Sequence, residues 1–161
     1  MDGTIFKTDF GWAAVAATEK GVCEVVLPTQ SKTLVRKMVS DASLSSTPLL
    51  SALERDIVRY FKGGRVSFKD YRLDYKDATE FQKLVWKAAS RIPYGETATY
   101  GDVARAVGKP SSCRAVGQAL GANPIPLLIP CHRVVAASGV GGFSGGTDLK
   151  AKMLQLEGTL R

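Results

Sequence analysis

The first 30 residues alternate between short apolar runs and glycine-containing turns. The runs TIFKTDF, GWAAVAAT and VCEVVL predict a β-meander. A polar, serine-rich stretch follows, with one short helix expected around 33–39. Pro48 then begins a second helix, because the apolar residues after it recur at spacings of three and four as far as Gly63-Gly64. Residues 65–75 alternate again and predict one more strand.

The pattern becomes mainly helical beyond Lys76. Asp77 or Thr79 is expected to cap a helix whose apolar positions repeat with the helical period. Those positions are Phe81, Leu84, Val85, Ala88, Ala89 and Ile92. We therefore expect an α+β protein, with a small sheet-and-helix lobe at residues 1–76 and a mostly helical domain at residues 77–161.

Two short helices are expected in the middle of the second domain. Thr99 can cap a helix over 100–107, and Ser111 can cap another that runs to about Leu120. The three-residue turn between them, Gly108-Lys109-Pro110, completes a helix-turn-helix pattern. An αα-hairpin that serves only as scaffold would give the same pattern, so the spacing alone leaves DNA binding open.

The second of these helices has a surface of small residues. Ala115, Gly117, Ala119 and Gly121 leave little side-chain volume on it, and glycine lowers helix stability relative to alanine. Such a surface indicates either close packing against a neighbouring element or insertion into a narrow groove. Arg114 is the long cation near the start of the helix.

Composition and charge narrow the class of protein. The 161 residues are 45% hydrophobic and 23% charged, as is typical of a globular protein. The formal net charge of +7 favours polyanionic partners, of which nucleic acid is the first candidate. No apolar run is long enough for a spanning helix. The beginning of the chain lacks a basic segment followed by an apolar one, so we expect no secretion signal.

The number and spacing of the cysteines bear on disulfides and on metal binding. Cys23, Cys113 and Cys131 are odd in number and have no CxxC spacing, and the chain has a single histidine. These counts argue against a disulfide framework and against a Cys/His zinc site. We therefore expect a cytoplasmic protein without a metal site, and we expect no cofactor.

The stretch LLIPCHRVV, at 127–135, carries the candidate chemistry. A cysteine thiol becomes a strong nucleophile when a base or a cation lowers its pKa, and Cys131 is followed directly by His132 and Arg133. In an extended strand neighbouring side chains point to opposite faces, so contact between them requires a turn or an intervening water. A buried structural cysteine with accidental neighbours is the alternative.

Two features follow this stretch along the chain. Residues 139–146 are rich in glycine, which lets a backbone approach a ligand closely, but they do not match a phosphate-binding loop. A final helix is expected to begin at Thr147 or Asp148 and to end at Glu157. A carboxylate at that end opposes the helix dipole, which indicates a further use such as orienting the histidine.

These pieces together resemble the O6-alkylguanine-DNA alkyltransferases. The resemblance covers about residues 78–158 and rests on TYGDVARAVGKPSSCRAVGQALGAN, NPIPLLIPCHRVV, SGVGGFSGG and LQLEG. It implies irreversible, single-turnover repair of double-stranded DNA, in which the alkyl group of a flipped-out O6-alkylguanine, or less efficiently O4-alkylthymine, moves to a protein cysteine. It also implies a ribonuclease-H-like first lobe, a helix in the minor groove, and a monomer whose cooperativity on DNA is left open.

The resemblance assigns roles to individual residues. It makes Cys131 the acceptor and His132 its base through a water, while Glu157 orients His132 and Asn123 braces the turn. Arg114 would fill the gap left by the flipped base, and Tyr100 would rotate the target phosphate and aid proton delivery. Implied DNA contacts come from Tyr100, Gly101, Lys109, Ser112, Arg114 and Ser138, and implied walls of the base pocket are Val134, Phe143 and Ser144.

The sequence departs from the family pattern at two points, and two rival functions stay open. Phe143 stands where some relatives carry a tyrosine, so a hydroxyl role is absent there. Cys23 is the only cysteine available in the first lobe, which predicts no zinc. The rivals are a helix-turn-helix lesion sensor or regulator without transfer, and a hydrolase that uses Cys131, His132 and Glu157 on an acyl substrate.

Overall fold

The computed structural model describes residues 1–143 and 145–160. The chain folds as two compact units, Met1–Lys76 and the part that starts at Asp77, called unit 1 and unit 2 below. Both strands and helices form, so the predicted α+β class is confirmed. No helix within the described residues is long and apolar enough to cross a membrane.

Unit 1 is built on the predicted meander. Strands β1 (Asp2–Thr8), β2 (Gly11–Thr18) and β3 (Gly21–Thr29) pair antiparallel in sequence order. A two-residue strand that the pattern did not predict, β4 (Ser43–Leu44), pairs parallel with β1, which gives the order β3-β2-β1-β4. Gly11 sits at φ 126°, where a side chain would clash with the Thr29 carbonyl, so the first turn requires glycine.

Two helices pack on the sheet of unit 1. Helix α1 (Lys32–Met38) covers a cluster that includes Ala14, Ala16 and Cys23, and helix α2 (Pro48–Phe61) contacts β1 and β2. Strand β2 is therefore buried along almost its whole length, because successive side chains in a strand point to opposite faces.

The prediction of a strand over residues 65–75 was wrong. Only Leu73 forms a bridge, to Val22 of β3, whose backbone makes its hydrogen bonds with Arg72 and Asp74. The hydroxyl of Tyr71 donates a 2.6 Å hydrogen bond to Asp56, and Phe68 packs edge-on against Tyr60. These side-chain anchors, which alternation does not reveal, tie residues 68–71 to α2.

Unit 2 begins with α3 (Glu80–Ser90), which Thr79 caps through a capping box with Gln82. Helices α4 (Tyr100–Ala106) and α5 (Cys113–Gly121) follow, and a final helix, α6 (Thr147–Leu156), ends at Glu157 as expected. Two short strands, β5 (Ala98–Thr99) and β6 (Val134–Val135), pair parallel.

The connection between α4 and α5 differs from the predicted three-residue turn. It spans residues 107–112, because backbone hydrogen bonds from Gly108, Lys109 and Ser112 close two successive turns there. The N-cap position of α5 is Ser112 rather than Ser111, and its side chain makes no capping hydrogen bond. The helix pair itself is present, with Thr99 capping α4 through Asp102.

Candidate active site

Cys131 lies in a short 3-10 turn, Cys131–Arg133, that follows a proline. Asn123 builds the approach to this turn. Its side-chain oxygen accepts from the backbone N–H of Ile125 at 2.9 Å, and its side-chain nitrogen lies 3.0 Å from the Ile129 carbonyl and 3.2 Å from Sγ of Cys131. The predicted non-regular approach is therefore present, and one buried amide ties it to the thiol.

The surroundings of Cys131 favour the thiol over the thiolate at rest. Its side chain is 5% exposed, and burial raises the pKa of the thiol because the charged form loses solvation. The hydrogen bond from Asn123 and the charge of Lys150 lower that pKa in part. Any nucleophilic use of Sγ must therefore include removal of its proton.

His132 and Glu157 form a buried pair. Nε2 of His132 lies 2.6 Å from Oε2 of Glu157, and both side chains are closed to solvent. Burial lowers the pKa of His132, against the opposing effect of Glu157, so the imidazole is neutral near pH 7. A neutral imidazole held by a carboxylate is suited to accept a proton.

Arg133 completes the environment of Glu157. Its Nε donates to the second carboxylate oxygen at 2.7 Å, while its Nη1 donates to the carbonyl of Ile92 at 2.8 Å. The two contacts with His132 and Arg133 offset the unfavourable position of Glu157 at the end of α6. The contact with His132 that an orienting role requires is present, and the tie to Arg133 was not predicted.

Lys150 is the site residue that the sequence reasoning missed. Its side chain is fully buried, and its ammonium donates to the carbonyls of Val134 at 2.6 Å and Gly142 at 3.0 Å. Burial lowers the pKa of Lys150 to about 8. The signal was available on α6, because Lys150 shares one helix face with Met153, Leu154 and Glu157, all of which are buried.

A pocket of about 390 Å³ opens onto Cys131. Its lining residues come from α4, α5, the turn and the glycine-rich segment: Tyr100, Gly117, Leu120, Gly121, Cys131, Gly142 and Phe143. The Tyr100 hydroxyl donates to the Gly142 carbonyl at 3.4 Å. Gly141, at φ 80°, approaches Tyr100 so closely that a side chain there would clash with the ring.

The small residues of α5 divide between the two roles that the sequence left open. Gly117 and Gly121 border the pocket, and Gly117 faces the ring of Tyr100. Ala119 is buried, and its carbonyl accepts from the indole N–H of Trp86 at 2.8 Å. Ala115 is exposed, so close packing alone does not account for the surface.

The remaining predicted residues that the structure describes are not among those that line the pocket. Lys109, Arg114 and Ser138 are exposed, Gly101 and Ser112 are half-buried, and the pocket lining includes none of them. Val134 is buried, and its carbonyl accepts from Lys150. Ser144 lies outside the described residues.

The fold and the site define an α+β protein with a buried cysteine next to a buried histidine–glutamate pair, and comparisons with known proteins identify its family. A family model described as "6-O-methylguanine DNA methyltransferase, DNA binding domain" matches residues 80–159. Methylated-DNA–protein-cysteine methyltransferases of Methanosarcina acetivorans and Bacillus subtilis are 39% and 36% identical over 156 residues. These alignments cover 96% of this chain and 97% and 93% of the relatives.

Solved structures give the same result for the whole fold. The structure of Mycobacterium tuberculosis OGT in complex with DNA matches with a TM-score of 0.81 at 34% identity, over 98% of this chain and 92% of that one. The O6-methylguanine-DNA methyltransferase of Pyrococcus kodakaraensis matches with a TM-score of 0.79 at 28% identity, over 97% and 99%. The chain belongs to the methylated-DNA–protein-cysteine methyltransferase family.

Proposed function

We propose that this protein repairs DNA by moving the alkyl group of O6-alkylguanine to Sγ of Cys131, once per molecule. The observation that carries the proposal is the position of the Cys131 thiol, which borders the pocket beside Asn123 and beside the His132–Glu157 pair. The relatives named above act on methylated DNA. A thioether is a stable product, so transfer to this sulfur ends the protein's working life.

The transfer is a substitution at the carbon attached to O6. With its Nε2 proton directed to Glu157, neutral His132 takes the thiol proton through a water molecule, in the way that a general base acts. The sulfur then forms the new C–S bond while the C–O6 bond breaks and its electron pair stays on the guanine oxygen. A proton returned to the released guanine then leaves an ordinary guanine in the DNA.

Tyr100 is suited to assist the departing guanine. Burial and the nearby Cys131 raise the pKa of its hydroxyl, so it keeps the proton that a hydrogen-bond donor needs. Phe143 and Gly142 line the same pocket, and we assign them, with Val134, to the walls around the flipped base. Extrusion of the base costs a few kcal/mol, and less for a mispaired lesion.

Lys150 has two functions in this scheme. Its hydrogen bonds to Val134 and Gly142 join the acceptor segment to the glycine-rich segment, which keeps the pocket in shape. Its positive charge lowers the pKa of Cys131, which favours the thiolate as transfer begins. The residue is a positioning group that also supplies an electrostatic field.

DNA binding is assigned to the α4–α5 pair acting as a helix-turn-helix. Exposed Arg114 is expected to enter the stack as the base leaves, with further contacts from Gly101, Lys109, Ser112 and Ser138. The small surface of α5 suits the minor groove of double-stranded DNA. The sheet and helices of unit 1 form the ribonuclease-H-like lobe, and the protein acts in the cytoplasm as a monomer.

Methyl stoichiometry tests the proposal against its rivals. Wild-type protein is incubated with excess duplex containing O6-methylguanine, and methyl groups lost from DNA are counted per protein molecule. We expect a plateau at one, because no group returns the sulfur to its thiol state. Continued turnover would mean that the sulfur is regenerated, and loss of no methyl groups would favour the lesion sensor or the hydrolase of acyl substrates; either result overturns the proposal.

A further inference from the structure

Unit 1 carries a basic surface that the transfer chemistry does not use. Lys7 lies directly opposite Trp12 in the β1–β2 pairing, and its ammonium lies 5.8 Å from the centre of the Trp12 ring. Lys32 of α1 brings a second ammonium to 4.7 Å from the same ring. With the neighbouring Arg36 and Lys37, these residues form what we call the Trp12 surface.

The charges of this surface are not neutralised within the protein. Lys7, Lys32, Arg36 and Lys37 are all exposed, and none of them takes part in an ion pair among the described residues. A groove of about 510 Å³ runs along the helix, and its lining contains cations and hydroxyls but no carboxylate: Lys32, Thr33, Arg36, Lys37 and Ser40. Ammonium, guanidinium and hydroxyl groups are the usual donors to phosphate oxygens.

Folding explains the cations only in part: Arg36 donates to the Val39 carbonyl at 3.1 Å, and Arg36 and Lys37 lie in the last turn of α1, where a cation is favourable. Val35 is the residue that α1 buries within its own length, and its packing partners lie in the apolar cluster beneath the helix. Lys32, Arg36 and Lys37 all remain exposed to solvent. The run of three cations in six residues is therefore available for a partner.

The Trp12 ring shows how such a partner would be contacted. Since two ammonium groups lie near the ring, the ring holds cations by cation–π attraction and is poorly placed to stack on a nucleic-acid base. Contacts of this surface would then be to a charged backbone. Backbone contacts are independent of sequence and sensitive to salt.

We propose that the Trp12 surface binds the phosphate backbone of double-stranded DNA, as a contact outside residues 80–159 that match the family's DNA-binding domain. The proposal rests on the proposed function for the identity of the polyanion. Each phosphate that the surface neutralises adds about 0.9 to the magnitude of the negative slope of log K against log salt concentration, called the salt slope below.

A pair of matched triple variants tests this surface. Lys32→Gln, Arg36→Gln and Lys37→Gln together remove three cations from it. Lys20→Gln, Lys62→Gln and Lys69→Gln remove three exposed lysines elsewhere in unit 1, so both proteins lose the same net charge. Binding to an undamaged duplex is measured by fluorescence anisotropy over a series of salt concentrations, after thermal unfolding has shown that both variants are folded.

The surface variant is expected to lower the salt slope by about 2 to 3, and the control triple to leave the wild-type slope unchanged. Lys7→Gln, on β1 rather than α1, should lower it by about 0.9 on its own. Equal slopes for the two triple variants would overturn the proposal. A surface variant that keeps the wild-type DNA slope but loses binding to phosphatidylserine vesicles would assign the surface to anionic lipid and also overturn it.

Failure of this proposal can be told apart from failure of the proposed function. Methyl transfer to protein is measured separately on the same duplex carrying O6-methylguanine. If the protein is methylated normally but the surface variant keeps the wild-type salt slope, only the DNA-binding role of the Trp12 surface is wrong. If the surface variant changes the salt slope but the protein accepts no methyl group, the Trp12 surface still binds DNA and the proposed transfer chemistry is wrong.

Discussion

The two units of the chain have interiors of different kinds. Among the described residues, Thr8 is the polar residue buried in unit 1, whereas unit 2 buries Asn123, His132, Lys150 and Glu157. A buried polar or charged group lowers stability unless it is paired, and in unit 2 these four groups lie in or contact the segment 131–134 that carries the thiol. Unit 1 is therefore organised for stability and unit 2 for chemistry.

The largest expected effect is on the stability of unit 1. Leu53→Ala removes a fully buried side chain of α2 and should lower the free energy of unfolding by about 2–5 kcal/mol. Urea unfolding measures the loss, with Leu49→Ala, a partly exposed leucine on the same helix, as control. The transfer rate of the folded protein should not change; a large fall would show that the apolar interior also serves the chemistry.

The second effect concerns the chemistry of unit 2. Glu157→Gln should lower the single-turnover transfer rate by about 100-fold, in the range of lost acid–base assistance, while DNA affinity stays unchanged. Since Glu157 raises the pKa of His132, the substitution should also move the acid limb of the pH–rate profile to lower pH. Glu80→Gln, an exposed carboxylate on α3, is the control. A wild-type rate and profile for Glu157→Gln would reduce Glu157 to a packing residue.

The third and smallest effect concerns the buried lysine. Lys150→Met keeps the length of the side chain but removes the charge, so the Cys131 thiolate loses a stabilising cation and the thiol pKa rises. We expect a transfer rate about tenfold lower near neutral pH, a change of about 1.4 kcal/mol. Because the pKa of Lys150 is about 8, wild type is charged below that pH, and the difference should shrink as pH rises through it.

Single-turnover rates over a pH series measure this difference. Lys152→Met, an exposed lysine on the same helix, provides the control and should follow the wild-type curve. A constant tenfold loss at every pH would mean that Lys150 acts only by holding the Val134 and Gly142 carbonyls. In that case its charge would have no part in activating the thiol.

Periodicity predicted the regular parts of the fold because local sequence determines them. The meander, α2 from Pro48 and α3 from its Thr79 cap all formed as expected. The strand at 65–75 did not, since Tyr71 and Phe68 are anchored to α2 by contacts distant in sequence. The two-residue β4 has no periodic signal at all.

The site was predictable in its linear order but not in its geometry. Motif order identified Cys131, His132, Asn123 and Glu157, which the fold brings together. Lys150 was not predicted as a site residue, because a lysine is almost never fully buried and is therefore expected to be exposed even on the apolar face of a helix such as α6. The contact of Arg133 with Glu157 depends on a turn and a helix end that meet only in three dimensions.

The position of the transferred methyl group decides whether Cys131 is the acceptor. Wild-type protein is incubated with a duplex containing one O6-methylguanine, and peptide mass spectrometry locates the added methyl group. We expect one methyl group on Cys131, none on buried Cys23 or exposed Cys113, and none on any residue of Cys131→Ser. Methylation of Cys113 instead, or an unmodified Cys131 after the lesion has been repaired, would contradict the assignment.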